Sequence, residues 1–349
     1  MSNDNGADKS AKITLGDVAR EAGVAKSTAS EALTGSGRMT DATRRAVREA
    51  AQRLGYRPNA LARGLRTGRT HSIGLHRLHA PDNFDSEYFR ELIAGVMDVA
   101  ITHDYDLSLL SSNPVRPRSV APRVDGIILA DPIADDLRAI ELLNSGIPVV
   151  AGERYPPGMP TSPVVGIAHE TALTELLEHA YRSGARRPAL FAPDEKSGWG
   201  VVLRDTFLGW CRERGLPGIH RTTAFKGRRF REDEGDLLAA LLTGTDPVDL
   251  VVVPGEHAAL ATREVMRDMG LQVGRDVLLA VCADAHLLEL CEPPITAIDL
   301  SPRRLGATCA QALVNHLDHG TPLAELTLLE AHLTLRASTE RLVHQADTP

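Results

Sequence analysis

The sequence predicts a small all-α head of helix-turn-helix type, followed by a large α/β body of two doubly wound parallel-sheet lobes. Three observations carry that prediction. Charge is divided: residues 1–70 hold 13 Lys+Arg against 7 Asp+Glu, and residues 71–349 hold 26 against 39. The head has apolar residues at helical spacing, punctuated by Gly23 and Gly55. The body alternates short apolar runs with amphipathic stretches, as parallel sheets wound with helices require. A length of 349 residues fits two or three folding units.

Composition narrows the class. With 43% hydrophobic and 24% charged residues the chain is an ordinary globular one. That excludes a collagen, a disordered tail and a disulfide scaffold. No run approaches the ~18 apolar residues of a membrane span, so no membrane partner is expected. The opening MSNDNGADKSAK has no apolar signal region. Cys211, Cys282, Cys291 and Cys309 form no CxxC pair, which fits a reducing, cytoplasmic setting. No HExxH, P-loop, GxSxG or metal-ligand spacing is present, so no enzyme, cofactor or metal site is expected.

Residues 1–11 are polar and expected to be disordered. In the head proper, 12–58, Thr14 caps a first helix and Asp17 sits in its first turn. Leu15, Val18 and Ala19 share its inner face. Gly23 makes the tight turn. A second helix spans about 26–33, with Val24, Ala29 and Leu33 inward and Lys26, Ser27, Ser30 and Glu31 outward. Thr40 caps a third helix of about 41–54, with Ala46, Val47, Ala50 and Leu54 inward and Arg44, Arg45, Arg48 and Arg53 outward. Two helices about a glycine turn suit a major groove. A plain three-helix bundle with a solvated basic face is the alternative.

The words of the sequence favour DNA. Ile13 to Ser30, ITLGDVAREAGVAKSTAS, and Leu54 to Arg66, LGYRPNALARGLR, resemble the DNA-binding head of the LacI/GalR repressor family, in its order and spacing. The resemblance implies DNA contacts by Thr14, Arg20, Lys26, Ser27, Thr28, Ser30, Glu31, Tyr56, Asn59, Ala62, Leu65 and Arg66. Thr28 and Arg20 are expected near phosphates. Residues 59–70 form a hinge and linker: Pro58 disfavours helix before it, and Asn59 caps a segment too short to be stable alone. In the family such paired hinge helices order on the operator and a leucine wedges the central base step, a role Leu65 matches. A simple linker with a buried leucine is the alternative. Glu31 departs from the family, which usually has a basic residue there. It either accepts from a cytosine N4 or pairs with a nearby arginine and touches no base.

The body, 71–340, continues the likeness. Strands are expected at 72–75, 107–110, 126–130, 148–151, 188–192, 250–253 and 277–281. Helices are expected at 88–102, 171–182, 204–214, 232–242 and 258–269. Val124 to Leu129, Gly146 to Val150, Pro293 to Thr296 and Arg336 to Thr339 match recurring family phrases. The resemblance implies a periplasmic-binding-protein-like core and a homodimer. Lobe 1 is expected at about 71–168 and 298–326, and lobe 2 at about 169–297 and 327–340, with crossings near Ala168, Ala297 and Thr327. Residues 111–124 hold three prolines where the family has a helix, so a loop is expected. The tail, 341–349, has no heptad repeat, so no tetramer zipper is expected.

The resemblance also implies a small-molecule effector between the lobes, at the carboxyl ends of strands. Tyr88-Phe89 matches the family's aromatic pair, and Glu153-Arg154 its Asp-Arg. Thr206 stands where the family has a ligand-binding arginine, with Arg204 two places earlier. Gly255-Glu256 and Ala283-Asp284 replace its Asn/Gly-Asp and Asp-Asp. Losing those hydroxyl-binding groups argues against an ordinary sugar. The cleft either takes a less hydroxylated or cationic molecule, using Tyr88, Glu153, Trp199, Glu256 and Asp284, or takes nothing. The expected function is a homodimeric repressor of a near-palindromic operator whose DNA affinity an unknown effector sets. The alternatives are a constitutive repressor, a DNA-organising protein, and, more distantly, a ligand-processing enzyme with a DNA-binding head.

Overall fold

The computed structural model describes residues 13–34, 37–56, 69–78, 86–110, 123–223 and 232–340. Met1–Thr70 and His71–Pro349 form two separate compact units. The expected disordered N-terminus, the hinge helix with Asn59, Ala62, Leu65 and Arg66, nearly all of the proline-rich loop and the tail lie outside the described residues.

The head has three helices: α1 (Leu15–Glu21), α2 (Lys26–Thr34) and α3 (Asp41–Arg53). The backbone N–H and the hydroxyl of Thr14 both donate to the Asp17 carboxylate, at 2.9 and 2.7 Å. Those bonds hold the Asp17 carboxyl below its ordinary range. Thr40 accepts from Thr43 N–H at the start of α3. Gly23 and Gly55 take φ of 65° and 64°, which closes the turns after α1 and α3. Val18, Ala19, Ala29, Ala32, Val47, Ala50 and Ala51 make the core. The inner stripe of α3 is therefore Val47, Ala50, Ala51 and Leu54. Ala46, expected inward, is exposed, because a 3.6-residue repeat through Val47 and Ala50 places Ala51 on that face instead.

The body holds two six-stranded sheets. Lobe 1 contains β1 (Ser72–His76), α4 (Glu87–Thr102), β2 (Asp106–Leu109), β3 (Gly126–Ala130), α5 (Leu137–Leu143), β4 (Val149–Gly152) and β5 (Val164–Ile167). Lobe 2 contains α6 (His169–Arg182), β6 (Pro188–Ala192), α7 (Gly198–Glu213), β7 (Ile219–Thr222), α8 (Glu232–Thr243), β8 (Leu250–Val253), α9 (Glu256–Asp268), β9 (Leu278–Val281), α10 (His286–Glu289) and β10 (Thr296–Asp299). The chain then returns: α11 (Pro302–His319) and β11 (Leu326–Leu329) complete lobe 1, and β12 (His332–Thr334) joins lobe 2.

The strand orders are β11-β5-β4-β3-β1-β2 and β12-β10-β9-β8-β6-β7. Every pairing is parallel except β10 with β12. Strands β1, β3, β4, β6, β8 and β9 are buried along their whole length, as sheets covered on both faces must be. The second and third crossings fall after Asp299 and after Leu329, a few residues beyond the expected positions. In each case the strand first completes its ladder with its own lobe.

Two glycines set the packing of lobe 1. A Cβ on Gly95 of α4 would lie 1.9 Å from the Arg303 carbonyl oxygen, and one on Gly306 of α11 would lie 2.1 Å from that of Leu92. Helices α4 and α11 therefore touch backbone to backbone.

Candidate functional site

Two surfaces carry chemistry. On the head, Lys26 and Ser27 at the start of α2 are exposed, and Thr28, Ser30 and Glu31 are half-buried. Arg20 is exposed and pairs with Asp17 at 3.0 Å. Thr14 is spent on its cap, and Tyr56 packs on the head core. The Glu31 carboxylate folds back on the loop after α2: its Oε2 lies 2.4 Å from where a Gly37 Cβ would be, at a φ of 81°. Helix α2 thus exposes Lys26 and Ser27 at its start and is anchored to the head core by Ala29 and Ala32.

The second site is the cleft between the lobes, a cavity of about 460 Å³ including its open mouth. It lies where strand order reverses in each sheet, at β1/β3 and β6/β8. Its side chains follow directly from strand ends. Arg77 comes after β1, Asp131 after β3, Glu153 after β4, Pro254 to Glu256 after β8, and Ala283 shortly after β9. Ser86 and Tyr88 at the start of α4, His169 and Trp199 at the starts of α6 and α7, and Leu300 at a crossing complete the lining.

The polar contacts are specific. Arg77 donates to Asp131 at 2.9 Å and lies over the Phe89 ring, 5.1 Å from its centroid. His169 Nε2 meets Glu153 Oε1 at 3.1 Å, and the His169 and Trp199 rings are 6.0 Å apart. Burial raises the Asp131 carboxyl, against the pull of Arg77. Burial, with the charges of Glu153 and Asp131, pushes the Tyr88 phenol well above its ordinary value, so Tyr88 is a neutral hydroxyl. Asp131 and Glu153 hold φ of 53° and 91°, strained for residues other than glycine.

The lobes are latched across the cleft on both sides. Glu256 Oε1 accepts the Glu87 N–H at 3.1 Å, and the Glu87 carboxylate accepts the His286 N–H at 3.0 and 3.1 Å. On the other side Lys196 pairs with Asp135, Ala134 N–H donates to the Lys196 carbonyl, and Ile133 bridges Ser197.

Of the eight residues the sequence suggested for the cleft, Tyr88, Glu153, Trp199 and Glu256 line it. The other four do not. Phe89 is fully buried under Arg77, one step round α4 from Tyr88. Arg154 turns outward to pair with Glu170. Arg204 is not among the lining residues and pairs with Asp205 and Glu195. Asp284 is spent in a two-point pair with Arg336, at 2.8 and 2.9 Å. The sequence reading missed Arg77, Asp131 and His169. The signal was available: each stands directly after a strand or at a crossing.

Comparison with known proteins agrees with this fold. The profile described as "Bacterial regulatory proteins, lacI family" matches residues 14–59, and that of a "Periplasmic binding protein-like domain" matches 177–339. Catabolite control protein A of Streptococcus mutans is 37% identical over 309 residues, covering 86% of this chain and 90% of the relative. The HTH-type transcriptional regulator CelR of Thermobifida fusca is 29% identical over 338 residues, covering 93% and 98%. Among solved structures, a CelR–cellobiose complex matches at 26% identity and TM-score 0.67, covering 93% of this chain and 99% of that one. A lac repressor dimer bound to operator and an anti-inducer shares the fold at 22% identity and TM-score 0.77, covering 94% and 99%.

Proposed function

Because this chain belongs to the lacI family of bacterial regulatory proteins, a family of DNA-binding transcriptional regulators, we propose that it is a homodimeric repressor of a near-palindromic operator, controlled by a small molecule in the interlobe cleft. The observation that carries the reading is the pairing of an α2 that exposes Lys26 and Ser27 on the head with a latched, lined cleft in the body. Each head would read one half-site, and Leu65 would enter the minor groove at the centre.

The dimer has a surface to use. Met97 and Ile101 on α4, Leu109 on the edge strand β2, and Leu287 and Leu290 at α10 are all more than 40% exposed. Large apolar side chains so placed favour burial against a second copy. The effector differs from the cellobiose of the CelR complex. Among the described residues, the arginine that lines the cleft, Arg77, is paired with Asp131, and the sugar-binding arginine, asparagine and aspartate expected from the family are absent or spent. Ligand binding would favour one angle between the lobes and so couple the cleft to DNA affinity.

The test is a selection of random duplex DNA on the purified protein at moderate salt, with sedimentation of the complex. Enrichment of a near-palindrome bound by two chains is expected. A single unpaired half-site, or no enriched sequence, would overturn the reading.

A further inference from the structure

Among the described residues that line the cleft, the carboxylates of Asp131, Glu153 and Glu256 outnumber the guanidinium of Arg77, which pairs with Asp131. Glu153 is 3% exposed and Glu256 is 8% exposed. Among the described residues, neither has a lysine or arginine partner. Glu153 meets His169 through Oε1, and Glu256 Oε1 takes the Glu87 N–H, with His257 at 3.9 Å. The second oxygen of each carboxylate takes no hydrogen bond among the described residues. A buried carboxylate without a countercharge is costly. Here Glu153, whose ionisable partner is His169, and Glu256, with His257 at 3.9 Å, border one cavity with no lysine or arginine partner among the described residues, beside the Trp199 and Tyr88 rings.

Resting on the cleft-effector reading above, we infer that the effector is a small organic cation, a protonated amine or quaternary ammonium. Its charge is held between Glu153 and Glu256, and its body rests against Trp199 and Tyr88. A cation supplies the missing countercharge and also suits an aromatic face, which attracts cations through its quadrupole. A sugar hydroxyl can donate to a carboxylate, but it neutralises no charge. Burial chiefly raises the Tyr88 phenol, and the charges of Glu153 and Asp131 add to that rise against the pull of Arg77.

The experiment is calorimetric titration of the full chain with cations and their neutral counterparts at matched ionic strength. The pairs are tyramine with tyrosol, putrescine with 1,4-butanediol, and choline with 3,3-dimethyl-1-butanol. Glucose and cellobiose are added as sugars. At least one cation is expected to bind about tenfold or more tightly than its neutral counterpart. Glu153→Gln and Glu256→Gln should each weaken it by about tenfold, with melting temperatures reporting that each variant folds. The inference is overturned if no cation binds, if a neutral counterpart or a sugar binds as tightly, or if both variants keep full affinity.

Operator affinity measured with the same ligands separates this from the parent reading. A cation that fills the cleft and leaves operator affinity unchanged overturns the effector reading but not the ligand class. A sugar that fills the cleft and changes operator affinity does the reverse.

Discussion

His76 and Asp136 show how single residues bear on the body's stability. His76 Nε2 meets Asp136 Oδ2 at 2.7 Å, and both side chains are almost fully buried. Asp136 also caps α5 through the N–H groups of Arg138 and Ala139. Burial alone would raise its carboxyl, but the bonds from His76 and the backbone outweigh burial and hold it below the ordinary value. A depressed carboxyl stabilises the fold above the ordinary carboxylate range, and that contribution is lost as pH falls through the depressed value. Asp136→Ala should cost about 3 kcal/mol at neutral pH. It should also flatten the fall of melting temperature in acid. An unchanged acid profile would show that the pair contributes nothing. Glu31 makes a second residue-scale prediction. Its carboxylate lies against Gly37. Glu31→Gln should keep the selected half-site, and a changed base preference would show direct readout instead. At this scale the sequence was half-legible. Trp199 stood out by type, and Tyr88, Glu153 and Glu256 by likeness. Arg154 and Asp284 did not separate from their neighbours, because successive residues past a strand end point opposite ways.

Elements were easier to read than contacts. Parallel strands are continuous apolar runs, so β3, β6 and β8 were expected with their observed bounds. Helix α7 starts at Gly198, six residues before the expected Arg204. The two glycines look like a loop in sequence. In space they let the helix press on other backbone: a Cβ would lie 2.1 Å from the Arg154 carbonyl oxygen at Gly198 and 2.5 Å from that of Pro193 at Gly200. Such close approaches are tertiary facts with no periodic signature. The α4–α11 crossing is of the same kind. Gly306→Ala should destabilise the body by about 2 kcal/mol or more, because backbone must move to admit the methyl. Chemical denaturation would measure this, and a neutral effect would mean that the helices are not held at that distance.

At the scale of the whole molecule, the proposed function joins a DNA-reading head to a body whose lobes are latched across the cleft. The two-lobed architecture was legible because alternating runs and family phrases extend over most of the chain. The latches were not, because they join residues up to 199 positions apart. They predict that closure and DNA binding are linked, although Glu87, Asp135 and Lys196 lie in the body and not in the head. The most direct measurement compares operator affinity of the wild type with that of Glu87→Ala/Lys196→Ala, with small-angle scattering to report the lobes. The account predicts opened lobes and an operator affinity changed by about fivefold or more, the range of ordinary allosteric coupling. Opened lobes with an unchanged operator affinity would contradict it.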